Sequence, residues 1–344
     1  MKRINNLYKE IISLENLEAA ELIARKRKSK QQGVKLFDKD KDHYLSQLHE
    51  ILKSKKYKTS EYKNFIIHEP KERIISKLKY YPDRIVHHGI MRIMEPYFVR
   101  WFTADTYSCI KGRGVLKASM NLRKALLDLE NTQYCLKIDI VKFYSNINHD
   151  VLKMQLRRKI KDNNLLDLLD EIIDSAPGVP IGNYLSQYFA NFYLTGFDHF
   201  IKEQMSVKHY FRYADDIVIL GKTKKELHVA FQKIVKFLGE NLKLQVKGNY
   251  QIFKVIDRGI DFVGYVHFHT HTLLRKTIKK GFARAVTKGK DWQVIAAYLG
   301  WAKHANTKNL IKKLFRDDSI QRFRDRAKKR RIRRRSNSLQ KNTG

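Results

Sequence analysis

Apolar positions recur along this chain with two different periods. Near the start, Ile11, Leu14, Leu17, Ala20, Leu22 and Ile23 keep an approximately helical spacing, which predicts two or three amphipathic helices over residues 5–60. NFIIHEPKERIISKL, within 61–79, holds short β-like runs around a turn. DRIVHHGIMRIMEPYFV (83–99) reads as a helix opened by Asp83, and 115–130 as another helix. YCLKIDI (134–140) alternates, with Leu136, Ile138 and Ile140 on one face of a strand and Lys137 and Asp139 on the other. Helices are predicted at 149–160 and 164–174, and GVPIGNYLSQYFANFYL (178–194) starts as a loop and becomes an apolar helix. HYFRY-ADD-IVIL reads as a hairpin, and the helix after it opens on Thr223 to Glu226, a capping-box pattern. LKLQVK and DFVGYVHFH predict further strands, and 273–315 a basic helical region. The last stretch, 316–344, contains RFRDRAKKRRIRRR and is expected to be disordered without a partner.

One place breaks the pattern. FRYADDIVIL (211–220) sets two adjacent aspartates inside a run that otherwise reads as buried strand. An unpaired carboxylate in an apolar setting costs several kcal/mol. A surface turn is one reading, since Asp is common in turns. A bound cation is the other. Asp139 ends its strand on the polar face, and three carboxylates from two neighbouring strands form a hard-oxygen site suited to Mg²⁺. Two such ions about 4 Å apart clamp the attacking and leaving oxygens of a phosphoryl transfer.

Charge points to the substrate class. The 344 residues carry 70 Lys+Arg against 35 Asp+Glu, a formal net charge of +35. A polyanion is the natural partner, with nucleic acid ahead of an anionic membrane surface. At 43% hydrophobic the chain can bury a large core in two or three subdomains. No apolar run approaches the roughly 18 residues that span a bilayer, and the charged start is unlike a signal peptide. The two cysteines, Cys109 and Cys135, form no CxxC pair. These features fit a cytoplasmic protein that handles DNA or RNA.

Tyr213-Ala214-Asp215-Asp216 resembles the YxDD motif of reverse transcriptases, and Asp139-Ile140 with Phe143-Tyr144 resembles their first palm motif. The order of elements agrees: finger strands, Asp139, a Gly–Ser loop-helix, YADD, a helix, FVGY (262–265) and a basic helical region. The resemblance covers roughly residues 60–315 and implies an α+β, right-hand polymerase fold. Its implied organisation is an N-terminal helical extension (1–60), fingers with part of the palm (61–133), palm (134–268), thumb (269–316) and a basic disordered tail (317–344). It implies two Mg²⁺ ions, with Mn²⁺ as a substitute, held by Asp139, the adjoining Ile140, Asp215 and Asp216. For dNTP it implies Arg73, Lys71, Phe143, Tyr144, Ile181 and Gly182. Within that set Tyr144 is the steric gate against a ribose 2′-OH, and Arg73 stacks on the base and holds phosphates. For template and primer it implies Lys111, Arg113, Gly264, Tyr265, Lys303 and His304. The bland alternatives are a core aromatic at Tyr144, a solvated turn at Arg73 and Lys71, and a plain basic loop at Lys111 and Arg113.

VPIGNYLSQ (179–187) narrows the family. Most reverse transcriptases carry a Gln-Gly pair and a Ser-Pro pair here, whereas this chain has Ile181 in place of the Gln and Gln187 in place of the Pro. IGNxxSQ resembles the enzymes of diversity-generating retroelements, which belong with the group II intron-like reverse transcriptases. Those copy a template RNA with frequent errors opposite adenine, with a small basic accessory protein as partner. A Gln could hydrogen-bond near the incoming nucleotide, while Ile can only pack. Losing that polar check weakens discrimination by about 1–3 kcal/mol. The chain stops about thirty residues after the expected thumb, with no further carboxylate set of RNase H type and no VTG run of a retron enzyme, which fits the short retroelement class. A retron or phage-defence reverse transcriptase, and an inactive RNA-binding module that keeps the palm fold, stay open as alternatives.

Two smaller features complete the reading. His267, His269 and His271 fall on one face of an extended strand, a pattern that would allow a metal. YLGWAKHANTKNL (298–310) pairs Tyr298 and Trp301 with Lys303, His304 and Lys308, which suits a template–primer groove, with core packing as the competing use of the aromatics.

Overall fold

The structure is a computed structural model that describes residues 3–68 and 72–315. The chain divides into two compact units, one of Met1–Gly114 with Leu136–Ile252 and the other of Val115–Cys135 with Phe253–Gly344.

The first unit opens with four helices, Tyr8–Ile12, Leu14–Ala24, Gln32–Phe37 and Lys41–Lys53, where the pattern predicted two or three. The extra break falls at Ser13, whose extended backbone ends one helix and whose hydroxyl accepts the Asn16 N–H to begin the next. Leu17 and Ala20 are fully buried, and their helix packs on the long helix Ile85–Trp101. Asp83 does not cap that helix as expected. It is fully buried and accepts hydrogen bonds from Tyr57 Oη (2.9 Å) and the Ser60 N–H (3.0 Å), so it ties the incoming chain down instead.

Strands β1 (Lys63–Ile67) and β2 (Arg73–Lys77) pair antiparallel, from Lys63 opposite Lys77 to Ile67 opposite Arg73. The central sheet contains β3 (Tyr134–Ile138), β4 (His209–Tyr213), β5 (Asp216–Gly221) and β6 (Gln251–Lys254), in the order β4-β5-β3-β6. LKLQVK was expected to be a strand, but the helix Lys224–Leu242 consumes its start and Lys243 turns at φ +53°, leaving an isolated bridge between Ile140 and Val246. Thr223 caps that helix by accepting the Glu226 N–H at 3.2 Å, while Glu226 reaches back to the Lys222 N–H at 3.1 Å. The apolar helix Tyr184–Tyr193 buries Phe192, whose ring centroid lies 5.5 Å from Phe98 and 5.3 Å from Trp101.

In the second unit β7 (Ile260–Phe262), β8 (Tyr265–His267) and β9 (Thr272–Leu274) form an antiparallel sheet with the helices Val115–Ala125, Lys276–Thr287, Trp292–Ala302 and Lys308–Leu314. Its core joins Tyr265, Leu274, Phe282, Ile295 and Ala302. Both aromatics considered for a nucleic-acid groove pack there: Tyr298 stacks on Phe282 at 5.5 Å and Trp301 lies over Tyr265 at 5.3 Å. The three histidines do not share a strand. β8 ends at His267, which is buried; His269 sits beside Thr132, and His271 stacks on Phe268 across a turn closed by the Phe268 N–H to His271 carbonyl bond (2.8 Å). The predicted basic tail lies outside the described residues.

Candidate active site

β4 and β5 are joined by the shortest hairpin loop, since Tyr213 pairs with Asp216 and leaves only Ala214 and Asp215 between the strands. Ala214 takes φ +55°, a left-handed value that an L-alanine adopts at a cost of about 1–2 kcal/mol. Two-residue hairpins need such a positive φ to match the twist of their strands. The loop lifts Asp215 towards Asp139, which lies just beyond the end of the adjoining strand β3.

The two carboxyl groups meet within hydrogen-bonding range, and burial together with the Asp139 charge pushes Asp215 up to about 6. Two lysines answer this concentration of negative charge. Lys247 Nζ bonds to Asp139 Oδ2, and the Lys247 N–H donates to the Asp139 carbonyl at 2.8 Å, so one residue grips Asp139 at both backbone and side chain. Lys137, two residues before Asp139 on the same face of β3, brings Nζ to 3.4 Å from Asp216 Oδ1. Lys137 and Lys247 were not among the predicted site residues. The alternation of YCLKIDI did place Lys137 on the Asp139 face, whereas nothing local marks Lys247. Ile140 is buried, and the hydrogen bonds of its bridge to Val246 run through the residues on either side. Among the described residues, no three His, Cys, Asp or Glu side chains close into a metal-holding group. The donor chemistry nevertheless fits a hard divalent cation: two half-buried carboxylates confront each other, a third is close to the same strand, and ammonium groups stand against them.

Tyr144 follows Asp139 through Lys142, itself at φ +40°. Its hydroxyl is pushed well above the usual phenol range, chiefly by burial and also by the neighbouring Cys109 and Asp215. Phe143 is buried and meets the Tyr144 ring edge-on at 5.4 Å. The loop 178–182 braces this region from both ends. The Val179 N–H donates to the Tyr144 carbonyl at 2.9 Å, and a Cβ on Gly178 would stand 2.4 Å from that same oxygen. At the other end the Ser76 N–H of β2 donates to the Ile181 carbonyl at 2.8 Å, while Gly182, at φ +128°, lies so close that a Cβ would be 2.4 Å from the Ser76 carbonyl. Gly178 and Gly182 are therefore required by close approach as well as by backbone angle. The Ile181 side chain is half-buried.

The other predicted contacts divide. Arg73 opens β2 and is exposed, whereas Lys71 falls outside the described residues. Lys111 is exposed. Arg113 spends Nη1 on the carbonyls of Thr103 (2.6 Å) and Thr106 (3.0 Å), so it holds its own loop together. Gly264, Tyr265, Lys303 and His304 belong to the second unit. There Val263 and Gly264, at φ +44° and +89°, make the turn between β7 and β8, and a Cβ on Gly264 would lie 2.5 Å from the Trp301 ring. Tyr265 is a core residue whose hydroxyl donates to the Trp301 carbonyl at 3.2 Å.

An antiparallel sheet carrying acidic groups at a hairpin turn and a neighbouring strand end, with helices packed around it, is the α+β arrangement of a template-directed polymerase. The fold is similar to that of telomerase from Candida albicans in complex with the TWJ fragment of telomeric RNA, at TM-score 0.51 and 12% identity over 78% of this chain and 57% of that one. Telomerase from Candida tropicalis with the same kind of fragment matches at TM-score 0.49 and 12% identity, over 79% of this chain and 58% of that one. Residues 44–266, well over half the chain, match the family described as Reverse transcriptase (RNA-dependent DNA polymerase), and the chain belongs to that family. Among curated proteins, Protein YkfC of Escherichia coli (strain K12) is 24% identical over 250 residues, which is 60% of this chain and 64% of that protein's length. Among the described residues no helix is long and apolar enough to cross a membrane.

Proposed function

We propose that the protein is an RNA-directed DNA polymerase whose active site is built on Asp139, Asp215 and Asp216. The observation that carries this reading is the close approach of the Asp139 and Asp215 carboxyl groups beside Lys247 within a chain of the reverse transcriptase family. Charges of one sign are held together at the cost of stability, which is expected where a divalent cation completes the set. Mg²⁺ bound there would lower the pKa of a primer 3′-hydroxyl and stabilise a leaving pyrophosphate. Asp139 and Asp215 hold that position, and Lys137 and Lys247 balance its charge between cycles. Tyr144 walls the sugar side of the incoming nucleotide, and Arg73 on the exposed hairpin receives its phosphates. The helices of the second unit, with Lys303 and His304, serve the RNA–DNA duplex as a thumb.

Within this activity, the enzyme serves a diversity-generating retroelement and copies its template RNA with errors opposite adenine, alongside a small basic accessory protein. Ile181 and Gln187 support this, because the loop that bears Ile181 is bonded to β2 at one end and to the Tyr144 backbone at the other. Primer extension on an RNA template with Mg²⁺, with every product sequenced, tests both levels. Extension that vanishes in Asp215→Ala/Asp216→Ala supports the polymerase, and errors concentrated opposite adenine support the retroelement role. Accurate copying would leave the polymerase and remove the mutagenic role. Ile181→Gln is expected to cut misincorporation by about tenfold or more; an unchanged error spectrum would clear Ile181 of any part in fidelity.

A further inference from the structure

Arg212 lies in the middle of FRYADD and is fully buried, as is its partner Asp198 on the helix Thr195–His199. The pair is bidentate: Nε donates to Asp198 Oδ1 at 2.7 Å and Nη2 to Oδ2 at 2.5 Å. Tyr210 Oη and Thr106 Oγ1 also donate to that carboxylate, at 2.5 and 3.0 Å. Nη2 reaches Thr106 Oγ1 at 3.2 Å, and Nη1 reaches Asn191 Oδ1 at 3.2 Å. A buried ion pair is weak evidence of a stabilising role, since apolar residues of equal volume often do as well. Nη2 also reaches the Asn191 carbonyl at 3.4 Å, and what an apolar pair could not supply at the hairpin turn is the bond from Nη1 to the Ala214 carbonyl at 3.1 Å.

That carbonyl belongs to the residue with the left-handed φ, and its peptide group leads directly into Asp215. Fixing the direction of the Ala214 C=O fixes the peptide plane, and with it the position of the Asp215 Cα–Cβ bond. The guanidinium is itself immobile, because Asp198, Asn191 and Thr106 hold its other donors. We infer that Arg212 is a positioning residue that clamps the strained Ala214–Asp215 turn and so keeps the Asp215 carboxylate against Asp139, ready for a divalent cation. This rests on the proposed role of Asp215.

The test uses the full chain, with Mn²⁺ binding followed by loss of the free-ion resonance signal, alongside steady-state extension. Arg212→Lys keeps a cation for Asp198, but a single ammonium cannot also serve the Ala214 carbonyl. It is expected to weaken Mn²⁺ binding and lower kcat by about tenfold or more, with the dNTP KM unchanged within about twofold. Ala214→Gly, which removes the residue that needs clamping, should give a smaller loss, and the double variant should be no worse than Arg212→Lys alone. Should Arg212→Lys not fold, Arg212→Gln/Asp198→Asn leaves no lone buried charge, still cannot reach Ala214, and should show the same losses. Wild-type Mn²⁺ binding in whichever variant folds, or losses that multiply in the Arg212→Lys/Ala214→Gly double variant, overturn the inference. Asp215→Ala separates the two levels. If it retains both Mn²⁺ binding and extension, the proposed site is wrong; if it loses both while the Arg212 variants lose neither, only the positioning role falls.

Discussion

Replacing Asp215 by Asn should make the metal-free protein more stable and the enzyme inactive. In the folded chain Asp215 keeps its proton up to about pH 6, because its carboxyl is buried and faces Asp139. An unfolded Asp loses its proton near 3.8. The folded state thus binds this proton more tightly, so stability falls as pH rises from about 4 to about 6 and stays reduced above that. The displacement from 3.8 to about 6 converts to about 3 kcal/mol at pH 8. Asn is a neutral near-isostere and carries no such cost. For a unit of this size that difference corresponds to a melting-temperature gain on the order of 5–10 °C. Thermal melts in EDTA at pH 4, 6 and 8 measure it. The gain should be small at pH 4, nearly complete by pH 6 and full at pH 8, and adding Mg²⁺ should stabilise the wild type more than the variant. An Asn variant no more stable than wild type at pH 8, or equally stabilised at pH 4, would refute the electrostatic account.

Three further substitutions probe the backbone and the nucleotide pocket. Gly182→Ala forces a Cβ to within 2.4 Å of the Ser76 carbonyl and imposes a strained φ, so the hydrogen bond to β2 should break, at about 2–4 kcal/mol, with a raised dNTP KM in extension assays. Gly264→Ala meets the Trp301 ring at 2.5 Å and should destabilise the second unit by a similar amount of about 2–4 kcal/mol, read as an earlier transition in urea. Tyr144→Val should open the sugar side and raise rNTP incorporation relative to dNTP by about tenfold or more, measured by competition in primer extension.

Much of this was readable in the chain before folding. The alternation of YCLKIDI and the aspartate pair in FRYADDIVIL each carry local signals, and both became strands of one sheet, with the hairpin turn at Ala214 and Asp215. What escaped depends on partners distant in sequence. Arg212 reads as one more charge beside the motif; its meaning lies in Asp198 and Asn191, on other elements. Lys247 lies in a segment that looked like a strand, and its pairing with Asp139 spans more than a hundred residues. Asp83 resembled a helix cap because capping is a local rule, yet the hydroxyl of Tyr57 claims it. Histidine spacing failed for a related reason: a tight turn at Phe268–His271 ends the alternation after His267.

Among the described residues, the second unit is assembled from two stretches of chain, Val115–Cys135 and the stretch from Phe253 to Phe315. A ribosome making this protein therefore releases 115–135 long before the partners of that segment exist. Leu122 and Ala118, fully buried in the finished protein, must wait through more than a hundred residues of further synthesis for Phe253 and beyond. Folding of the second unit is accordingly bound to synthesis of the stretch that begins at Phe253, since loop closure over that span comes before the contacts that reward it. A truncation after Ile252 would leave the amphipathic helix Val115–Ala125 with its buried face, Ala118 and Leu122, orphaned. Separating the units would need 115–135 cut out and joined to the stretch from 253 onward, because four alternating segments stay alternating under any circular rearrangement of the gene.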